Sequence, residues 1–422
     1  MPIIKLIAAA ILVLLSNSAL TESSARVSGF GTLGVAVTDS NEFGYRADFS
    51  SSGGVFSGQI DVAESSNIGL QFDLIMHSGL DAVVQVIYRN QDDITLDSVL
   101  TMAFVRYSPN PNWSFRGGRI ALDLFLLTEF RDIGFAHPWA HVPAEIYGVI
   151  PHRNIDGLDA TYTRRIGTGT FSGKLFYGQS EASVSGFGLP EAEPVKFSDV
   201  VGIALDYKTM GWDISLNHSQ VTFDSELITP LVNAIKQLNA QVPGFNHIWP
   251  NAESLANGME INNTKGTYTS VGGQYYLPKM TFITELARIS AESLSVPNVV
   301  GGYLSGIYHA NEHNLFATFA FSRSDQLADD DVDLQLLQQI PSGLEIYHNT
   351  QMSLGFYSVN QQTFSLGWRW DFTENMSFKL QWDHTRIGSG GSTLWQPSEM
   401  LGNLDRPTGR VNALFSNVSF AF

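Results

Sequence analysis

The feature that most restricts the fold is a strict alternation of apolar and polar side chains in "QTFSLGWRWDFTENMSFKLQWDH", residues 362–384. Bulky apolar residues take every second position on both sides of a three-residue turn at 373–375, and small or charged residues take the others. A period of two places the two sets on opposite faces of a β-hairpin. The stretch therefore predicts two neighbouring strands of a sheet that has one wholly apolar face.

The same pattern recurs along the chain, with short turns and long polar connections in strict alternation. The seven short turns fall near residues 77–81, 109–112, 167–170, 210–211, 278–279, 311–312 and 373–375. The eight long connections cover residues 38–66, 92–97, 122–156, 180–198, 224–267, 291–299, 323–361 and 388–410. These connections imply about 16 strands, and an even number lets the first and last strands close the sheet without free edges. The sequence predicts an all-β fold, a transmembrane antiparallel β-barrel with short periplasmic turns and long extracellular loops.

The first 25 residues have the composition of a secretory signal peptide. Lys5 precedes an apolar run over residues 6–15, which is too short to span a bilayer, and small polar residues follow. Cleavage is expected after Ala25, with a cut near Ala19 as the alternative, so residues 26–422 would form the exported barrel. The chain contains no cysteine, which excludes disulfides and thiol chemistry.

The stretch "SGFGTLGVAV", residues 28–37, has the glycine spacing of a dinucleotide-binding turn. That turn requires a preceding strand and a following helix. Here an apolar leader precedes the glycines, and a strand-like run ending in a polar turn follows them. We therefore interpret the stretch as the first barrel strand, with Gly29, Gly31 and Leu33 on one face and Phe30 and Thr32 on the other. No cofactor is expected.

One segment conflicts with the even strand count. Residues 344–359, "LEIYHNTQMSLGFYSV", look like a strand and would make the number of strands odd. Because the turn at 373–375 fixes the parity, we assign this segment to the long loop 323–361, as a strand extension or small hairpin above the membrane.

The whole exported chain resembles the porin superfamily of Gram-negative outer membranes. The resemblance rests on the signal peptide, the "SGFGTLG" first strand, the strand count and the aromatic last residue, Phe422. It implies a general, trimer-forming porin in the outer membrane, in contact with lipid and lipopolysaccharide. On the last strand, "NALFSNVSFAF", Phe420 and Phe422 would form the signal for the barrel-assembly machinery.

The resemblance also implies a constriction made by the third long connection, residues 122–156, because in porins this loop folds into the lumen opposite arginines of the wall. The loop acids would be Asp123, Glu129, Asp132 and Glu145. The wall cations would be Arg89, Arg106, Arg116 and Arg119, with Lys174 and Arg369 as further candidates. Rings of opposed charge set selectivity in channels. The alternative is a loop that caps the mouth or packs against a neighbouring subunit.

Charge is distributed unevenly between loops and wall. The eight long connections carry 29 acidic and 9 basic residues, which is a net charge of −20. The whole chain has a net charge of −17, so the remaining residues are slightly basic. An acidic mouth would concentrate cations and bind divalent ions that bridge to lipopolysaccharide. The alternative is that the loops are charged only for solvation.

The remaining motifs favour structure over metal chemistry. His137, His141 and His152 have no strong ligand spacing, and the acids Asp329, Asp331 and Asp333 lack the glycine and glutamate of a calcium loop. We expect no metal site. The three acids are better explained as the start of a short helix.

A helix is also predicted in the loop 224–267. "TPLVNAIKQLNAQVPG" has Thr229 as a cap, Pro230 in the first helical position and a stripe of apolar residues at helical spacing.

Taken together, the sequence predicts a porin that passes small hydrophilic solutes and ions by diffusion. His218 and His384 continue the lipid-side alternation, so no catalytic site and no enzyme activity are expected, and no nucleic acid is expected as a partner. The alternatives are a substrate-specific channel and a structural or adhesive surface barrel with a plugged lumen.

Overall fold

The computed structural model describes residues 24–51, 53–76, 79–184, 193–325, 331–398 and 408–422. The proposed signal peptide lies almost wholly outside these residues. The strands in chain order are β1 Ser24–Thr38, β2 Phe43–Tyr45, β3 Asn67–Ile75, β4 Leu80–Arg89, β5 Leu100–Asn110, β6 Trp113–Ala121, β7 Asn154–Ile166, β8 Gly169–Val184, β9 Glu193–Lys208, β10 Trp212–Asp224, β11 Thr264–Leu277, β12 Met280–Ala291, β13 Val299–Ala310, β14 His313–Ser324, β15 Val359–Thr373, β16 Met376–Ser392, β17 Trp395–Pro397 and β18 Gly409–Ala421.

Among the described residues, 16 strands form one closed antiparallel barrel, and β2 and β17 form a separate two-stranded sheet. Each barrel strand pairs with its neighbour in the chain, and β1 closes the barrel by pairing with β18 as well as with β3. Closure leaves no sheet edge unpaired. The predicted fold and the number of barrel strands are confirmed.

The barrel wall is apolar outside and polar inside. On β15 and β16, Phe364, Leu366 and Trp382 are exposed, whereas Lys379 and Gln381 of the opposite face are almost fully buried. This arrangement follows from the alternation in the sequence, because successive side chains of a strand point to opposite faces. The buried polar face lines the lumen, and the exposed apolar face forms the outer surface.

The glycines of the first strand leave room for aromatic rings on that outer surface. A Cβ atom on Gly29 would lie 2.5 Å from the ring of Phe422, and one on Gly31 would lie 2.8 Å from the ring of Phe420. Gly29 and Phe422 also exchange two backbone hydrogen bonds of 3.0 and 2.9 Å. The spacing that resembles a nucleotide-binding turn is therefore part of the barrel seam.

The loops contain short helices. They are α1 Leu96–Val99, α2 Ala144–Tyr147, α3 Thr229–Gln241, α4 Phe245–Ile248, α5 Ala252–Met259, α6 Leu334–Leu337 and α7 Gly343–Leu354. Among the described residues, no helix is both long and apolar enough to cross a membrane.

Helix α3 confirms the helix predicted in the fifth long loop, but Thr229 is not its cap: the N-cap residue is Ile228, and no side chain caps the helix. The short helix predicted after the acids is α6, whose N-cap Asp333 accepts hydrogen bonds from the amides of Gln335 and Leu336. Asp329 lies outside the described residues.

The strand or hairpin expected within residues 344–359 is wrong. Most of this segment forms α7, which buries Gly343, Tyr347, Thr350 and Leu354 at helical spacing. The loop assignment holds, but the side chains follow a period of 3.6 instead of 2.

Candidate functional site

The third long loop, residues 122–153 between β6 and β7, lies inside the barrel. Its backbone is held by cations of the lumen wall. Lys379 donates to the carbonyl oxygens of Gly134, His137 and Trp139, at 2.9 Å and 2.8 Å for the last two. Arg369 donates to the carbonyl oxygens of Phe135 and His137, both at 2.9 Å. The middle of the loop is therefore fixed against β15 and β16.

One side of the loop forms an apolar core with the lumen wall. Trp139 is 1% exposed, and its indole N–H donates to Thr318 Oγ1 at 2.9 Å. Its ring meets the ring of Tyr303 edge-on at 5.8 Å. Ile146 and Tyr147 of the loop belong to the same buried cluster. This packing is unusual for a lumen, since the interior of an aqueous barrel is polar.

Two buried glutamates connect the third loop to strands β12 and β15 of the lumen wall. Glu145 of the loop accepts hydrogen bonds from Gln361 at 2.7 Å and from the hydroxyl of Thr363. Burial raises its pKa, an effect that these two hydrogen bonds only partly offset. Glu285 of β12 accepts from the amide of Leu126 at 3.0 Å and from the hydroxyl of Tyr147 at 2.7 Å.

A row of opposed charges lies where the loop passes β6 to β8. Arg116 contacts Asp159 of the neighbouring strand at 2.7 Å and Glu129 of the loop at 3.3 Å. Lys174 contacts Asp123 of the loop at 2.6 Å. The Glu129 side chain is 40% exposed, so this cluster borders open space. Burial raises the pKa of Glu129, but Lys174 and Arg116 outweigh burial and the net pKa is lowered, which keeps this carboxylate charged.

A second ionic cluster joins the third loop to the first loop, residues 39–66. Arg153 binds Asp132 at 2.7 Å and Asp48 at 2.6 Å, and Arg89 binds Asp48 at 3.3 Å. Burial acts to raise the pKa of Asp48, but the two arginines lower it far below its usual value. Two loops thus enter the barrel and are joined by buried ion pairs.

No family model and no curated protein matches the sequence. Solved structures do match. The outer-membrane channel DcaP of Acinetobacter baumannii superimposes with a TM-score of 0.52 at 11% identity, over 95% of this chain and 97% of that one. The anion-selective porin from Comamonas acidovorans gives 0.50 at 12% identity, over 95% and 100%. The trimer form of OmpT, an outer-membrane protein of Vibrio cholerae, gives 0.50 at 8% identity, over 95% and 99%.

The chain has the fold of the outer-membrane porins. At these identities the likeness concerns the fold alone. The predicted constriction residues take the following positions in this structure.

Asp123 pairs with Lys174, and Glu129 pairs with Arg116. Asp132 pairs with Arg153 at the end of the loop, rather than with an arginine of the wall. Glu145 faces hydroxyl and amide groups instead of a cation.

Three basic residues lie elsewhere than expected. Arg119 is three residues after Arg116 in continuous register, so it shares the outer face with Trp113 and Phe115 and does not face the lumen. There it binds Asp156 at 2.7 Å and Asp97 of α1 at 2.9 Å. Arg106 and Arg89 face the lumen, but neither forms an ion pair with an acidic residue of the third loop. Arg106 binds Asp81 near the short turns at 3.0 Å, and Arg89 is engaged by the first loop.

Several residues of the site were missed at the level of sequence. Glu285, Lys379 and Arg153 each lie at positions where a charge interrupts or borders an otherwise regular strand, and parity alone would place Glu285 and Lys379 in the lumen. Arg131 had no such signal. It is buried, stacks over Phe125 at 5.3 Å and donates to carbonyl oxygens of its own loop, and burial lowers its pKa to about 9.

The three loop histidines are separate. His141 binds Asp383 at 2.8 Å, while His152 stacks on Phe197 at 3.6 Å. Within the described part of the chain, no group of three or more His, Asp or Glu side chains could hold a metal ion.

Proposed function

We propose that this chain resides in the outer membrane and forms a water-filled channel through which small hydrophilic solutes and ions diffuse passively. The observation that carries the proposal is the row of opposed charges between the third loop and the wall. A solute that passes Arg116, Glu129, Lys174 and Asp123 crosses a transverse electric field, which orients polar molecules and selects among ions.

The outer surface supports the membrane location. Exposed apolar side chains cover the outer face, and aromatic residues are exposed near the short turns, including Trp113, Trp212, Tyr275, Tyr308 and Trp370. Aromatic girdles mark the interfacial zones of membrane barrels. Phe420 and Phe422 continue this girdle at the end of the last strand, where we propose that the barrel-assembly machinery recognises them.

We further propose a homotrimer whose acidic loops face the outside. A trimer form is described for the matched Vibrio cholerae protein, and the six long connections other than the first and third carry a net charge of −13, which would concentrate cations at the mouth. Divalent cations held there would bridge to the phosphates of lipopolysaccharide.

A second candidate function is favoured by one specific observation. The third loop bonds to strands spread around the barrel: to β3 through Asn67, to β10 through Asn217, to β14 through Thr318 and to β18 through Asn417. Such extensive anchoring also suits a barrel whose lumen is closed at rest, which acts as a structural surface protein or opens only for a particular substrate.

Single-channel recording in planar bilayers distinguishes these candidates. Purified protein should insert and give stable conductance steps in the absence of any solute other than salt. A folded, heat-modifiable barrel that never conducts would refute passive diffusion and support the closed barrel. Truncation of the side chain in Trp139→Ala provides the comparison, because loosening the loop should raise conductance whichever candidate holds.

A further inference from the structure

Four exposed arginines form a row on the outer face of the barrel, at the ends of β12, β14, β16 and β18 that lead into the long loops. They are Arg288, Arg323, Arg386 and Arg410. The strand register aligns them across the sheet. Val300 of β13 is the partner of both Arg288 and Arg323, and Arg386 lies directly opposite Arg410.

This arginine row borders the apolar band of the outer face. Each arginine shares its face with an exposed apolar residue of the same strand, in chain order Leu286, Phe319, Trp382 and Leu414. On β14, Arg323 follows His313 by ten residues, and His313 pairs across the sheet with Trp370 near the short turns. At a rise of about 3.4 Å per residue and a tilt of about 40°, ten residues cover about 25 Å of height, which is the height of the apolar band of a membrane barrel. The arginine row therefore lies at the level of lipid headgroups on the side of the long loops.

The arginine row is an unfavourable arrangement of charge in the protein alone. Like charges directly opposite each other on neighbouring strands are destabilising, and Arg386 and Arg410 are such a pair. None of the four arginines forms an ion pair with a residue that the structure describes, whereas the exposed Lys196 of β9 pairs with Glu181 at 3.9 Å. An anion from outside the chain would relieve the repulsion.

A groove of about 510 Å³ lies between two of the arginines. Arg323 and Arg386 line it, and Asn360 and Gln362 of β15, their partners across the sheet, line it between them. Among the described residues around the groove, none is Asp or Glu. Guanidinium and carboxamide N–H groups are donors, and the planar guanidinium matches the geometry of phosphate oxygens. The groove thus offers donors to an anion and no competing carboxylate.

We propose that the arginine row binds the phosphate groups of an anionic membrane lipid, with the groove between Arg323 and Arg386 as its centre. The acyl chains of the lipid lie against the apolar band below the row, which is why a lipid fits this surface better than free phosphate does. The arginines bind the phosphate directly, without the divalent cations proposed for the acidic loops. This inference rests on the proposed location in the outer membrane, but not on conduction through the barrel.

The test is native mass spectrometry of the full-length barrel in mild detergent with EDTA. The probes are dilauroyl phosphatidic acid and dilauroyl phosphatidylcholine, which have the same acyl chains. The wild type should bind phosphatidic acid about tenfold more tightly than phosphatidylcholine, the effect of charge-assisted hydrogen bonds at an exposed site. The double variant Arg323→Gln with Arg386→Gln should lose this preference and should bind phosphatidylcholine like the wild type.

Arg164→Gln is the matched control. Arg164 is exposed, shares the outer face of β7 with Leu158 and lies opposite Phe171 near a short turn, far from the arginine row. This variant should bind both lipids like the wild type. A stability measurement separates lipid binding from a structural role. In lipid-free detergent, Arg386→Gln should be at least as heat-stable as the wild type, because it removes one charge of a repulsive pair.

Four results would overturn the proposal. They are equal affinities of the wild type for the two lipids, equal losses in Arg164→Gln and the double variant, displacement of phosphatidic acid by equimolar inorganic phosphate, and a loss of heat stability in Arg386→Gln. Dissociation of an oligomer in the double variant, with lipid binding unchanged, would assign the arginine row to a subunit contact and would overturn it as well. Because none of these measurements requires a current, their failure is distinguishable from a failure of the channel function.

Discussion

Reversal of the charge at Arg116 tests the central element of the proposed channel. In Arg116→Glu the guanidinium that contacts Asp159 at 2.7 Å and Glu129 at 3.3 Å is replaced by a third carboxylate. Two unit charges about 4 Å apart interact by about 1 kcal/mol in water and by about 4 kcal/mol at the effective dielectric of a protein surface. A cation at this point would therefore be favoured several-fold to more than tenfold relative to the wild type, and an anion disfavoured by a similar factor.

The assay is the reversal potential across a planar bilayer with a salt gradient, and the expected result is a shift toward cation selectivity. Lys196→Glu is the matched control, because the Lys196 side chain is 63% exposed and its distance to its partner Glu181 is long, at 3.9 Å. Screening over about 8 Å at physiological salt should leave the control near the wild type. The charge reversal that the sequence suggests as a control is at Asp330 of the long loop 323–361, which lies outside the described residues.

A charge swap separates electrostatics from misfolding. In the double variant Arg116→Glu with Glu129→Arg, the ion pair is restored in reverse, so the reversal potential should return toward the wild-type value. Equal shifts in Arg116→Glu and Lys196→Glu, or no shift in Arg116→Glu, would refute the placement of the charged row in the conduction path.

Three further outcomes are expected. Trp139→Ala should cost the docked loop about 3–5 kcal/mol and raise single-channel conductance, and unchanged conductance would show that the loop does not limit it. Gly31→Val should slow the appearance of the heat-modifiable band on SDS gels, because its Cβ would lie 2.8 Å from the Phe420 ring, and normal assembly would contradict this account of the seam. For His141, burial lowers the pKa, but the charge of Asp383 and its hydrogen bond outweigh burial, so the net pKa is raised. The contribution of this ion pair to the stability of the fold is therefore complete below the unfolded pKa of about 6.5 and is lost as the pH rises through the folded pKa. Thermal unfolding should show that wild-type stability falls as the pH rises above about 6.5 and that this fall is smaller in Asp383→Asn, and parallel profiles would rule the pair out as its source.

The barrel wall could be predicted from the sequence because its constraint is periodic. Each strand must alternate between an apolar outside and a polar inside, so the hairpin at 362–384 determines the faces of β15 and β16 without any knowledge of the rest. The same rule would have assigned Arg119 correctly, since it is an odd number of residues from Arg116.

The interior of the barrel could not be predicted in the same way, because its contacts have no period. The pairing of Arg153 with Asp48 joins two loops that are 105 residues apart, and no local pattern indicates it. Helix α7 was missed for a related reason: Tyr347, Thr350 and Leu354 are apolar or small because they pack in a loop cluster, and a short segment of this kind fits two periods equally well.

The anchoring of the third loop sets an order of events during biogenesis. Its backbone is held by Lys379, which follows Gly134 by 245 residues, and by Asn417, which follows Ala140 by 277 residues. These partners lie on β16 and β18, at and next to the seam, so the loop can reach its final position only when the last strands are in place. We therefore expect the barrel to be wider, and its third loop to be accessible to proteases, until the last strands are in place. Protease resistance of the third loop should therefore appear no earlier than the folding of the last strands.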